Sequence, residues 1–86
     1  MRQIMIAHNA LQTPDRLLHL RYTLTGTNRE GCVRYGVTVA CESGEEAVED
    51  LTARFDRALM FFRQIVRCGV TPVSLKEVAE DFAAEP

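Results

Sequence analysis

Leu17-Leu18-His19-Leu20-Arg21-Tyr22-Thr23-Leu24-Thr25 is followed, after Gly26-Thr27-Asn28-Arg29-Glu30-Gly31, by Cys32-Val33-Arg34-Tyr35-Gly36-Val37-Thr38-Val39-Ala40-Cys41. Both flanking runs alternate. In the first, Leu18, Leu20, Tyr22 and Leu24 share one side, with His19, Arg21, Thr23 and Thr25 on the other; in the second, Val33, Tyr35, Val37 and Val39 share a side. Successive side chains of a strand point to opposite faces of a sheet, so alternation of this kind predicts two half-buried strands, Leu17–Thr25 and Cys32–Cys41. The turn-rich stretch between them joins them as an antiparallel hairpin. A symmetric loop pairs Thr25 with Cys32, hence Leu24 with Val33, Tyr22 with Tyr35, Leu20 with Val37 and Leu18 with Val39. A slip of one residue would set every apolar residue against a polar one, whereas a slip of two keeps the faces and stays open.

Outward from this hairpin, Ile4-Met5-Ile6 predicts a short strand over Arg2–Ala7, and Gln12-Thr13-Pro14-Asp15 a turn. The acidic stretch after Cys41 has two readings. Ser43-Gly44-Glu45-Glu46 has capping-box spacing and would start a helix running to Arg67. Alternatively Gly44 sits in a turn, Ala47–Leu51 is a further strand, and Thr52 caps a helix over Ala53–Cys68. The second is preferred, because helical spacing is cleanest from Phe55 onward, through Ala58, Leu59, Phe62, Ile65 and Val66. Gly69 suits the left-handed position after a helix end, and Arg67 suits the negative end of the helix dipole. Thr71-Pro72 opens a second helix over Pro72–Ala83, with Ser74-Leu75-Lys76-Glu77 as a competing start. Val73 or Leu75, with Val78 and Phe82, forms its buried stripe, and Ala83-Ala84-Glu85-Pro86 frays.

A chain of 86 residues, 47% apolar and 26% charged, has the size and composition of one globular domain, and a second core would leave each half too small to bury enough surface. The most apolar window, Ala58 to Phe62, is bounded by Arg57 and Arg63, far short of the roughly 18 apolar residues of a membrane span. Met1 to Ile6 is too short for a secretory signal, so no membrane role is expected and the cytoplasm is. The net charge of -2 argues against direct nucleic-acid binding, which needs concentrated Lys and Arg. The odd, widely spaced Cys32, Cys41 and Cys68 fit a reducing compartment better than a disulfide framework. With His8 and His19 they lack the spacing of zinc ligands, and no metal or cofactor is expected.

The order Tyr22-x-Leu24, Tyr35-Gly36-Val37, Leu51-Thr52 before a helix, Val70-Thr71-Pro72-Val73-x-Leu75 and Val78-x-x-Asp81-Phe82 resembles a domain-of-unknown-function family of small proteins from clostridia-like Gram-positive bacteria, number 6514 of that series. The resemblance spans Leu17 to Phe82. It implies a short cytoplasmic protein and transfers no catalytic residues.

Motifs exclude more than they assign. None of the five glycines stands in a phosphate-loop setting, and neither histidine accompanies a nucleophile motif. His19, Arg21 and Arg34 on the open side of the hairpin could form a polar site, but the aromatics that stack single-stranded bases lie on the other side. Asp81 and Glu77 lack companion ligands and read as solvated helix surface. The apolar Met60-Phe61 is the feature a monomer explains least: Phe61 lies roughly 100° from Phe62, outside the expected stripe, and marks either a contact surface or a core wider on one side.

The expected fold class is therefore α+β, a small antiparallel sheet of three or four strands followed by two helices on one face. The leading function is a non-enzymatic interaction or regulatory module, a homodimer or a partner-bound protein, whose contact is centred on Phe61 with Met60 or an uncovered sheet edge beside it. Two alternatives are kept. One is a small enzyme or ligand-binding protein with an inter-subunit pocket using His19, Arg21 or Arg34. The other is a mobile-element inhibitor of a nucleic-acid enzyme, in which Glu42 to Asp50 would imitate phosphate charge.

Overall fold

The alternating stretch around Tyr22 forms the middle of a four-stranded antiparallel sheet in the computed structural model, which describes residues 1–84. Strands β1 (Arg2–Gln12), β2 (Leu17–Arg29), β3 (Cys32–Cys41) and β4 (Gly44–Thr52) lie side by side in chain order. Helices α1 (Phe55–Cys68) and α2 (Pro72–Ala84) follow and pack on one face, giving an α+β arrangement. Glu85 and Pro86, part of the expected fraying end, lie outside the described residues.

The faces of the hairpin follow the alternation, but its register does not. Leu24 pairs with Val37, Tyr22 with Val39 and Tyr35 with Gly26, so Tyr22 and Tyr35 are not cross-strand partners. The turn is the cause. Only Glu30 and Gly31 make it, at φ of 54° and 83°, and Arg29 pairs with Cys32. Positive φ at both central residues is the primed turn whose twist matches that of paired strands. Gly26 to Arg29 therefore continue β2, and the pairing moves by an even number of residues that leaves every face unchanged. Val33, displaced beyond the helices, is exposed.

Both edge strands are longer than expected, β1 continuing to Gln12 and β4 beginning at Gly44. Each also carries a bulge, at Gln3/Met5 in β1 and opposite Tyr35/Val37 in β4. Gly36 faces the second bulge. A Cβ there would stand 2.3 Å from the Val48 carbonyl oxygen and 2.7 Å from that of Glu49, so only glycine admits the bulged backbone.

Leu20, Tyr22 and Leu24 of β2 and Val37 and Val39 of β3 form the floor of the core. Ala58, Phe61, Phe62 and Ile65 of α1 cover it at i, i+3, i+4, i+7 spacing, with Leu75, Ala79 and Phe82 of α2. Two expectations for the helices are corrected. Phe61 is 0% exposed because α2 runs beside α1 and sets Phe82 against it, ring centroids 4.8 Å apart. Phe55, expected in the stripe, is 42% exposed at the helix start, its ring edge-on to Tyr35. Thr52 does not cap α1 directly: its hydroxyl accepts the Arg54 N–H at 3.1 Å, and Arg54 occupies the cap position. In α2 the stripe falls on Leu75, leaving Val73 95% exposed.

The link between the helices is held from both sides. The Val70 N–H donates to the Ile65 carbonyl at 3.0 Å and the Gly69 N–H to that of Val66 at 3.2 Å, with Gly69 left-handed, as in a Schellman motif. From the sheet below, Asn9 Nδ2 donates to the Val66 carbonyl at 2.7 Å and the Tyr22 hydroxyl to that of Val70 at 2.9 Å. The first bond satisfies a carbonyl of the last turn of α1 and the second a carbonyl of the linker, and together they anchor the turn to β1 and β2.

Candidate functional site

The face of the sheet away from the helices carries the polar residues singled out above, and the register sets their rows. His8, Arg21, Ala40 and Glu45 lie across the four strands in one row, and Ile6, Thr23, Thr38 and Ala47 in another. His19 and Arg21 sit near the Cys41–Gly44 turn, where they line a shallow depression with Ala40, Cys41 and Glu42. Arg34 pairs with Thr27, six residues from Arg21 along β2, which is about 20 Å of strand. The three do not converge. Arg34 is instead ion-paired with Asp50 across to β4.

Titration near the turn is perturbed by local contacts. The Glu42 carboxyl is held below its ordinary range by its own backbone amide, then by the amide of His19 and the charges of His19 and Arg16. The Cys41 thiol is lowered first by the Ser43 hydroxyl, 3.2 Å from its sulfur. The three cysteines are free, and among the described residues no group of three His, Cys, Asp or Glu side chains could hold a metal ion. The acidic run is divided between faces: Glu45 joins the open row, Glu46 lies 3.8 Å from Lys76 of α2, and Asp50 meets Arg34. Between β4 and α2 lies an open groove of about 300 Å³, floored by Val48, Leu51 and Ala79 and flanked by Asp50, Lys76 and Glu80.

On the helical layer the expected pair separates. Met60 is 59% exposed beside Asp56, Arg63 and Gln64, while Phe61 is in the core and presents no surface to a partner.

The edge of β1 is the other uncovered feature. In a two-residue hairpin the closing pair, here Arg29 and Cys32, exchanges hydrogen bonds, and such pairs alternate along the ladder. Odd-numbered residues of β2 thus bond to β3, and Leu24, Tyr22, Leu20 and Leu18 turn their backbone groups to Met5, Ala7, Asn9 and Leu11. The backbone N–H and C=O groups of Ile6, His8 and Ala10 consequently point out of the sheet. The Ala10 N–H is bonded at 2.8 Å to Asn9 Oδ1, a partner outside the ladder, as this parity requires. Apolar side chains flank the strand on both faces, Ile6 on the open one and Met5 and Leu11 on the helix side, all exposed.

Sequence reasoning missed Asn9. An Asn inside a strand, where that residue type is depleted, was the available signal for a side chain with a hydrogen-bonding task.

A small antiparallel α+β domain whose open face, edge and groove each remain uncovered is the class of protein these features define. The chain belongs to DUF6514, a family of unknown function, whose profile matches residues 1–85. Comparison with curated proteins and with solved structures gives no match. No helix among the described residues is long and apolar enough to cross a membrane.

Proposed function

We propose that this chain is a non-enzymatic protein-interaction module of the cytoplasm that acts through the outer side of β1. One observation carries the reading. Among the described residues nine large apolar side chains are exposed, and three of them, Met5, Ile6 and Leu11, lie along β1 and occupy both of its faces, with Met1 just before the strand and Leu17 opposite its last residue. A layer stacked on one face would cover only some of them. A strand lying beside β1 in the plane of the sheet covers both sets and satisfies the outward N–H and C=O groups, which is the chemistry of strand addition. Free thiols support a reducing compartment.

Amide exchange of isotope-labelled protein tests this, in buffer and in an extract of the cells that make it. The amides of Ile6 and His8 slow in at least one of the two if β1 is a contact strand. Unprotected exchange of both amides in both settings would end the proposal.

A further inference from the structure

Resting on that reading of β1, the geometry points to a second copy of this chain as the partner, joined β1 to β1 in antiparallel orientation to make one continuous sheet across two protomers. The opposite edge cannot serve in the same way. β4 turns only Glu45 and Ala47 outward before its bulge, the Ala47 N–H already contacts Glu46 Oε1 at 3.4 Å, and acidic side chains line the strand. Short length, a bulge and like charges are the devices that keep an edge from pairing. β1 lacks them from Met5 to Gln12, where it pairs with β2 without irregularity. Its only formally charged residue is Arg2.

The outward groups select a register. The free donors are the N–H groups of Ile6 and His8, since that of Ala10 is engaged by Asn9. Centring the two-fold axis on Ala7 sets Ile6 of each protomer opposite His8 of the other, and each such pair exchanges two backbone hydrogen bonds. Those bonds use only donors that the single chain leaves unpaired. The same register places Arg2 opposite Gln12, so no like charges meet. Ile6, 49% exposed in the single chain, becomes the diagonal neighbour of its own copy on the open face, within side-chain reach. Faces are preserved as well, because a centre on one residue pairs positions of equal parity.

Sedimentation and light scattering of the full chain at about 100 μM, where a pair with a micromolar Kd is saturated, should give twice the mass of one chain. Ile6→Lys puts a charge beside its own copy and should halve that mass while cooperative unfolding is retained. In the unmodified protein, exchange protection of the Ile6 and His8 amides should rise with concentration, while that of Ala10 should not; this measurement stands even if Ile6→Lys fails to fold. A monomeric wild type overturns the proposal, and if Ile6 and His8 are nevertheless protected in cell extract, β1 binds a different protein and the broader reading survives. A dimer that persists in folded Ile6→Lys but is lost in Met60→Glu assigns the contact to the helical layer and also overturns it. Growth into long polymers would instead indicate β1 meeting β4 head to tail.

Discussion

Replacing Tyr22 by Phe removes one hydroxyl and keeps the ring. That hydroxyl donates to the Val70 carbonyl at 2.9 Å, in a residue with no exposed surface. Loss of one such bond costs about 1 kcal/mol, and leaving the Val70 oxygen with one partner fewer carries the cost towards about 2 kcal/mol. The pH dependence is more diagnostic. Burial, and then the charge of the Cys68 thiolate, pushes the phenol from 10.0 up to about 12. The unfolded chain therefore gives up this proton before the folded one does. Stability due to the buried phenol is complete below about pH 10 and declines as the pH rises through 12, by roughly 2 kcal/mol at pH 12, at about 1.4 kcal/mol per pKa unit. Phe in its place does not titrate, and every other ionisable group is common to the two proteins. Urea unfolding of both, followed by far-ultraviolet circular dichroism from pH 7 to 12, should show the wild type ahead by about 1–2 kcal/mol at neutral pH. The difference should close near pH 11 and reverse near pH 12. A difference that stays constant across that range would refute a buried, hydrogen-bonded phenol at this position.

Phe61→Ala should cost about 3–5 kcal/mol in denaturant unfolding and Met60→Ala less than about 0.5, since only the first opens a cavity against Phe82; the reverse order would return Phe61 to the surface. Glu30→Asn should stabilise by about 0.5–1 kcal/mol, a rise of about 3–6 °C in Tm, because Asn tolerates the positive φ of 54° better than Glu. A lowered Tm would count against the two-residue turn. Gly36→Ala should destabilise by roughly 2–3 kcal/mol by forcing β3 and β4 apart, while Gly44→Ala, with nothing within 4 Å of the added carbon, should change little; equal Tm values for the two would place the β4 bulge elsewhere.

Which side chains of β2 and β3 face the core was legible in the sequence, because a period of two leaves no other arrangement that buries Leu20, Tyr22, Leu24, Val37 and Val39 together. The end of α1 was legible for a similar local reason: Gly69 after Cys68 meets the requirement for a left-handed residue at the place where the apolar spacing stops. Pairing register was not, since an even shift preserves the faces and the choice fell to two turn residues, one of them a Glu that carries no strong turn signal. The outer limits of α1's buried stripe were also undetermined, because one amphipathic pattern suits any neighbour on its apolar side. Only the position of α2 and of Phe82 decided that Phe61 lies inside and Phe55 at the rim. The outward row of β1 is likewise a tertiary property: it depends on which strand ends at the sheet's edge and on the hydrogen-bond parity set by the Glu30-Gly31 turn, and neither is written in the residues from Met5 to Gln12 alone.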